Sequence, residues 1–505
     1  MPKGRVWVVV LGDFGRSPRM QNHALSLAQQ AGLQVHVIAY GGSKTNAAIA
    51  RHQNIRVHTI PELRQLAQVL PRSLALIIKA AFQAFMLLVM MIFWLPSPDT
   101  LLLQVPPAIP TLLMCWLACV WHGATFMIDW HNFAHTLMSL SMTHKHPLVA
   151  LANLYERFWG RFGHKHLCVS AAMRTELQRS WRIQATVFYD RPPSHFRPTP
   201  LKQQHQLLLR LGPVLDMPVH PRDCCAILPA SKEIPYQNGH DSACDACPSF
   251  RPLPVSRRAS AASHDNLNKL LDQMDLRVLA EQSRAREEGQ EHSLTVCTEQ
   301  LGGMGGRVRL RADRPALIVS STSWTPDEDF QILLDAAQQY DAEAVERPGA
   351  LPRLLFVVTG KGPQRAAYVE RMRRLDLQRV AFRTAWLEAA DYPLLLGSAD
   401  LGVCLHTSSS GFDLPMKVVD MFGCGLPVCA AEYRCIGELV SDGTNGLLFD
   451  SASKLAAQLT ELFEGFPQKE SPLLRQLQDS VASTSALTWE QSWEKIVLPM
   501  FARRH

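Results

Sequence analysis

The sequence predicts an α/β protein made of two Rossmann-like domains that face a cleft, with a Pro-rich disordered insertion between them. Three observations carry this. Short apolar runs alternate with amphipathic stretches from Arg5 to Tyr189, and the alternation restarts at Arg314. Between the two, twelve of the 33 prolines fall within Pro192–Ser260. Finally, Ala399–Phe449 reads as a strand, a Ser/Gly loop, a helix opened by Pro415, a Gly-Cys-Gly-Leu-Pro turn, and then strand, helix and strand. The 505 residues are enough for two cores. The expected division is 1–211, 212–309, 310–485 and a C-terminal helix, 486–505, that returns to the first domain.

Arg5–Leu11 is almost continuously apolar and predicts a buried strand, followed by the turn Gly12-Asp13-Phe14-Gly15-Arg16 and a helix from about Pro18 to Ala31. The dinucleotide fingerprint lacks its third glycine and its later acidic residue, which argues against an NAD-linked oxidoreductase. Val35–Ala39 and Ile55–Thr59 are further strands. Leu74–Leu95 is 22 residues of nearly unbroken apolar sequence, but Lys79 and Gln83 lie on one helical face and Pro96-Ser97-Pro98 stops the helix. In-plane contact with a membrane surface is favoured there over a buried core helix or a transmembrane span.

The strand Leu101–Val105, an apolar helix Ile109–Trp121 and the strand Ala124–Asp129 follow. Asp129 and His131 then stand at the carboxyl end of a strand, where open α/β sheets place ligand-contacting residues. Either could remove a proton from a hydroxyl, or Asp129 could orient the imidazole. The junction Val169–Met173 is assigned no chemistry. Proline density within Gly212–Arg309 opposes both helix and ladder, so that stretch is expected to be largely disordered. Its Cys224-Cys225 and Cys244-x-x-Cys247 are poor spacing for zinc.

In the second half, Asp327-Glu328-Asp329 resembles a metal-binding Asp-x-Asp, yet it opens a helix, where acidic residues belong in any case. Gly360-Lys361-Gly362-Pro363 is a turn between strand and helix that suits a phosphate. Ser408, Ser409, Ser410 and Gly411 let backbone N–H groups approach a diphosphate ahead of a helix, on which Lys417 supplies a cation and Asp420 a carboxylate for ribose hydroxyls.

A net charge of +6 with no long basic run gives no case for nucleic acid, and the cysteines sit in apolar elements as small hydrophobes of a reducing compartment. Arg5 follows Met1-Pro2-Lys3-Gly4 directly, without a signal peptide.

The strings SSSGFDLPMKVVDMFGCGLPVCA, VSSTSWTPDEDF, VVLGDFGRSPRMQNHALSLA and IDWHN resemble the chitobiosyldiphosphodolichol β-mannosyltransferase family, over roughly Arg5–Phe196 and Arg314–Pro499. The resemblance implies a GT-B fold and an enzyme that moves mannose from GDP-mannose to a dolichyl diphosphate-chitobiose acceptor, at the cytosolic face of the endoplasmic reticulum. It gives Gly12, Gly15 and Arg16 an acceptor-side role in the cleft, and Gly360, Lys361, the Ser408–Gly411 loop, Asp413, Lys417 and Asp420 a nucleotide-sugar role. A β-mannosyl product implies inversion, hence a base (His131 or Asp129) opposite cations or dipoles on the diphosphate, with no metal or cofactor required.

Two departures from the wider fold superfamily stand out. The usual Arg and Lys are missing between Ser320 and Glu328, and the first carboxylate of a Glu-x7-Glu pair appears as Asp413 with the spacing shortened by one. A retaining mechanism is therefore not carried over. The resembled family bears an N-terminal membrane anchor ahead of the first strand; either this chain's start is truncated or attachment is achieved otherwise. The competing readings are a glycosyltransferase using another nucleotide sugar, and a catalytically idle paralogue that scaffolds other dolichol-pathway mannosyltransferases.

Overall fold

Seven parallel strands form the first sheet: β1 Arg5–Asp13, β2 Gln34–Tyr40, β3 Ile55–Ile60, β4 Thr100–Val105, β5 Thr125–Trp130, β6 Lys165–Cys168 and β7 Thr186–Val187. Their order is β3-β2-β1-β4-β5-β6-β7. This computed structural model describes residues 4–61, 72–141, 146–215, 293–302, 306–408, 410–484 and 487–501. After a small antiparallel sheet, β8 Ser293–Leu294, β9 Thr298–Leu301 and β10 Arg307–Leu310, comes a second parallel sheet. It consists of β11 Ala316–Ser321, β12 Leu354–Thr359, β13 Val380–Ala385, β14 Leu401–Cys404, β15 Val428–Ala431 and β16 Gly446–Phe449, ordered β13-β12-β11-β14-β15-β16.

Both parallel sheets reverse strand order beside their first strand, which opens a crevice at the carboxyl ends. The central strands are buried on both faces, as continuous runs such as Val6–Leu11 and Ala316–Val319 require. Each sheet packs a separate apolar cluster on each face.

Two boundaries differ from the sequence reading. The expected division puts 201–211 in the first domain, but in the helix Leu201–Leu215 Leu207, Leu208 and Leu211 pack with Leu317, Val319 and Leu355 of the second sheet. Polar ties, Gln204 Nε2 to the Ser398 carbonyl and Arg210 to Asp391, hold it there. The chain passes between domains through the extended segment before it, where Pro192 lies against Gly423 so closely that a Cβ on that glycine would come within 2.4 Å. Secondly, the sequence predicts a largely disordered 212–309, but residues 212–215 end that helix and 293–310 carry β8–β10, anchored by His205 between Thr298 and Ser293. Proline density misled here because β8–β10 lie beyond the last proline of the stretch. Cys224, Cys225, Cys244 and Cys247 fall outside the described residues.

The helix Trp489–Ile496 lies on the first domain. Its capping box at Thr488 fixes the entry, and Trp489 and Trp493 bury fully against Phe188 and His23. Replacing a buried tryptophan by alanine costs about 3–5 kcal/mol. Trp489→Ala is therefore expected to lower the first thermal transition of the whole chain markedly, as read by calorimetry, whereas the exposed Trp386→Ala leaves it unchanged.

The apolar stretch Leu74–Leu95 becomes the helix Arg72–Val89 and a π-helical turn, Met90–Trp94. Leu87, Met90 and Met91 pack on the sheet, while Phe85, Phe93 and Trp94 face outward, Phe93 at 76% exposure. The neighbouring helices Thr111–His122 and Pro147–Trp159 add exposed Val120, Trp121, Leu151, Leu154 and Phe158. Trp116 joins these two helices by packing on Trp159 and Phe162 at 5.4 and 5.2 Å. Among the described residues, no helix is long and apolar enough to cross a membrane.

Candidate active site

His131 follows β5, its backbone N–H bonded to the Val105 carbonyl at the end of β4. Its Nε2 meets Asp129 Oδ2 at 2.8 Å, and the ring is partly exposed at the cleft. Asp129 itself is fully buried. Arg19, also buried, grips it with two bonds, Nε to Oδ2 at 2.8 Å and Nη2 to Oδ1 at 2.9 Å. The remaining guanidinium nitrogen, Nη1, donates to Asp190 and the Phe188 carbonyl.

Of the two sequence candidates for the base, Asp129 has no exposed face and bonds to the His131 imidazole. Burial on its own would push its carboxyl up, but the charges of Arg19 and His131 override this and hold it well below the usual carboxylate range. His23 completes the cluster. Trp493 Nε1 donates to its Nδ1 at 3.1 Å, so the neutral ring that burial enforces carries its proton on Nε2, facing Asp129 Oδ2 at 3.4 Å. The helix Trp489–Ile496 thus reaches the Asp129 carboxylate through one histidine.

Across the cleft, Ser408 Oγ accepts from the backbone N–H groups of Gly411 at 2.8 Å, Phe412 at 3.2 Å and Asp413 at 3.4 Å. Three successive N–H groups converging on one oxygen form a nest suited to an anionic oxygen. Ser409 lies outside the described residues. Asp413 receives hydrogen bonds from Ser408, from Ser410 at 3.3 Å and from Asn132 of the first domain at 3.0 Å. His406 bridges Asp413 and Asp327, and these two carboxylates raise its pKa to about 9 against the opposing effect of burial. Asp413 is held low although burial acts upward, through its bonds from His406 and Ser408.

The carboxylates of Asp327-Glu328-Asp329 therefore go three ways. Asp327 meets His406, buried Glu328 pairs with Lys417, and Asp329 caps the helix Phe330–Glu346. Lys417 also lies 3.4 Å from Ser323 Oγ. Lys361 sits over the exposed ring of Trp386, 3.9 Å from its centroid. Gly360 has φ +127° and packs on the Thr322 carbonyl, so no side chain fits there. Gly15 is equally constrained, by the Ser43 carbonyl, whereas Gly12 is open. Arg16 is exposed, 3.6 Å from Asp13. Asp420, on the helix Met416–Gly423, has its carboxyl pushed well above the usual range by burial and by the charge of Asp190.

The domains also touch directly. Ser170 Oγ donates to the Phe412 carbonyl, and the Phe412 ring enters the first-domain cluster against Phe133 at 5.6 Å. Glu438 accepts from Ala171 N and Ala172 N, both 2.7 Å, and from Tyr189 at 3.0 Å. The junction 169–173, assigned no chemistry in the sequence, is thus an interdomain seam. Arg19 and His23 were also missed; their i, i+4 spacing on the helix face of Met20, Ala24 and Leu27 was the available signal.

Residues 314–465 match the family model of glycosyl transferases group 1. The chain is 41% identical to the mouse chitobiosyldiphosphodolichol β-mannosyltransferase and 40% identical to the human one, covering 98% of this chain and 88% and 92% of those proteins. The chain belongs to the chitobiosyldiphosphodolichol β-mannosyltransferase family. It is therefore a glycosyltransferase. An Arabidopsis thaliana relative, the UDP-glycosyltransferase TURAN, is 43% identical over 99% of this chain and 98% of its own length. Among solved structures, Anabaena HepE with UDP and glucose matches at TM-score 0.56 and 13% identity, over 99% of this chain and all of that one. Sucrose-phosphate synthase from Thermosynechococcus elongatus matches at 0.56 and 11%, over 99% and 97%. These two likenesses show the GT-B fold.

Proposed function

We propose that the chain transfers mannose from GDP-mannose to the chitobiose unit of a dolichyl diphosphate, with inversion, giving a β-1,4-linked mannose. The observation that carries the reading is the His131–Asp129 pair facing the Ser408–Asp413 nest, with Asn132 and Asp413 joined across the cleft. With Nε2–H held on Asp129, the lone pair of His131 is on Nδ1. That atom takes the proton from the acceptor hydroxyl as its oxygen attacks the anomeric carbon, and GDP departs from the opposite face. As the donor enters, the N–H groups of Gly411–Asp413 exchange the Ser408 hydroxyl, and Lys417 exchanges Glu328, for the negative charge that develops on the diphosphate. Every group in this scheme belongs to the chain, with no metal or cofactor called upon.

The acceptor is a lipid, and the exposed apolar face made by Phe85, Phe93, Trp94, Trp121 and Leu154 suits in-plane contact with a bilayer. We place the chain at the cytosolic face of the endoplasmic reticulum membrane on this reading. A second donor is favoured by the name of the Arabidopsis relative, which specifies a UDP-sugar enzyme. Calorimetric titration with GDP and UDP tests the choice: tight GDP and weak UDP binding is expected, and the reverse order rejects GDP-mannose.

The same titration yields a pH prediction. Asp420 accepts from ribose hydroxyls best when ionised, yet burial and the charge of Asp190 push its pKa well above the usual carboxylate range. Below that raised pKa nucleotide binding should therefore release a proton, and affinity should rise with pH through the range where Asp420 ionises. Titrations in buffers of different ionisation enthalpy measure that release. Its absence, or its survival in Asp420→Asn, contradicts the ribose role.

A further inference from the structure

Where the chain leaves the first domain, the segment 188–192 is tied to both domains in turn. Phe188 N donates to the Cys168 carbonyl of β6, and the Tyr189 hydroxyl meets Glu438 of the second domain at 3.0 Å. Pro192 presses on Gly423, the last residue of the helix Met416–Gly423, and its carbonyl accepts from Trp489 N at 3.1 Å. Between these attachments stands Asp190, its side chain 9% exposed. Asp190 Oδ1 accepts from Arg19 Nη1 at 2.8 Å.

The same guanidinium binds Asp129 through its other two nitrogens, and Asp129 bonds to His131. Arg19 therefore divides one buried positive charge between the carboxylate behind the imidazole and the carboxylate of the crossing segment. On its other side Asp190 acts on the second domain. Asp420 lies three residues before Gly423 on the helix that Pro192 touches, so the two share a helix face. After burial, the charge of Asp190 is the further cause that pushes the Asp420 carboxyl up.

We propose that Asp190 is a positioning residue for the transfer, linking the nucleotide helix of the second domain to the base of the first through the Arg19 guanidinium. The inference rests on the roles given above to Asp420 and His131 and adds the group that joins them. When a ribose draws Asp420 into its ionised form, Asp190 and Asp420 become like charges at the domain crossing. Asp190 is then driven toward Arg19, which tightens the bonds behind Asp129 and His131. Part of the nucleotide's binding energy is spent in this way on holding the imidazole for the acceptor.

The test uses the full chain with Asp190→Asn, which keeps an acceptor oxygen for Arg19 but removes the charge, and Asp190→Ala, which removes both. By calorimetry, Asp190→Asn is expected to bind nucleotide about 10-fold more tightly than wild type, the order expected from removing one like charge beside an ionising carboxyl. That gain should vanish in the Asp420→Asn background. GDP and UDP are both titrated, and the cycle is read with whichever binds more tightly. In transfer to phytanyl diphosphate-chitobiose, Asp190→Ala should lower kcat roughly 10- to 100-fold, the cost of a small misplacement away from the reacting atoms. Asp190→Asn should recover most of that rate, and Asp190→Ala should change the residual rate of His131→Ala by about 2-fold at most. The imidazole NMR signals of His131, assigned with His131→Ala, should move when nucleotide is added to the wild type and stay in place in Asp190→Ala. A missing gain in affinity, a gain that persists in Asp420→Asn, or equal rate losses with and without His131 overturns the proposal. If the wild type transfers no mannose while the nucleotide cycle and the NMR response hold, the proposed function fails and the link stands. If mannose is transferred but the cycles are additive, the link alone fails; binding of neither nucleotide overturns both.

Discussion

His131→Ala is expected to lower turnover by about 10²- to 10⁴-fold, the range contributed by a positioned general base, while leaving affinity for GDP at the wild-type value. The separation follows from geometry. His131 belongs to the first domain and stands on the acceptor side of the cleft, whereas the nest at Ser408 and the helix bearing Asp420 belong to the second. Among the described residues, the bond of His131 goes to Asp129 and not to the nest. A His131→Ala chain with a full rate would remove the base from this histidine, and one that also lost GDP would show that the imidazole serves the donor site.

Arg19→Met is the substitution expected to harm the fold most. It leaves the Asp129 carboxylate without its two buried donors and Asp190 without its partner. Breaking a buried pair on one side costs about 3–5 kcal/mol. The pH dependence should reverse sign as well. In the wild type the folded-state pKa of Asp129 is depressed, so its stabilising contribution is present above the unfolded carboxylate value of about 3.9 and is lost as pH falls toward the depressed value. Without Arg19, burial dominates and raises that pKa, so the variant should lose stability as pH rises above about 4. Thermal midpoints across about pH 2–8 read both slopes, the wild-type one below about 4 and that of the variant above it. Parallel profiles for the two chains would show that Arg19 does not control the charge on Asp129.

The fold was legible in the sequence because both halves follow simple periodicities. Runs such as Arg5–Leu11 and Leu354–Thr359 are strands buried on both faces, and amphipathic helices alternate with them. What periodicity does not carry is which distant side chains meet. Asp129 and His131 were readable as a strand-end pair, since they are two residues apart. Their supports come from Arg19, Asp190 and, through His23, from Trp493 near the other end of the chain. The same limit applies to the cations. Lys361 in its turn and Lys417 on its helix suit a diphosphate by local sequence, and the structure adds partners that local sequence does not disclose, the Trp386 ring and Glu328. The long apolar stretch suggested membrane contact by one helix. Only the packed structure shows that two more helices, through Trp121 and Leu154, extend the exposed face.

The measurement that bears most directly on the whole account is transfer by the purified chain from GDP-mannose to phytanyl diphosphate-chitobiose, with the anomeric configuration of the product read by NMR. The account predicts a single mannose in β linkage, formed by the wild type and lost in His131→Ala. An α-linked product would contradict in-line inversion with His131 as base, and the absence of any transfer by a chain that binds GDP and the lipid acceptor would contradict the proposed reaction itself.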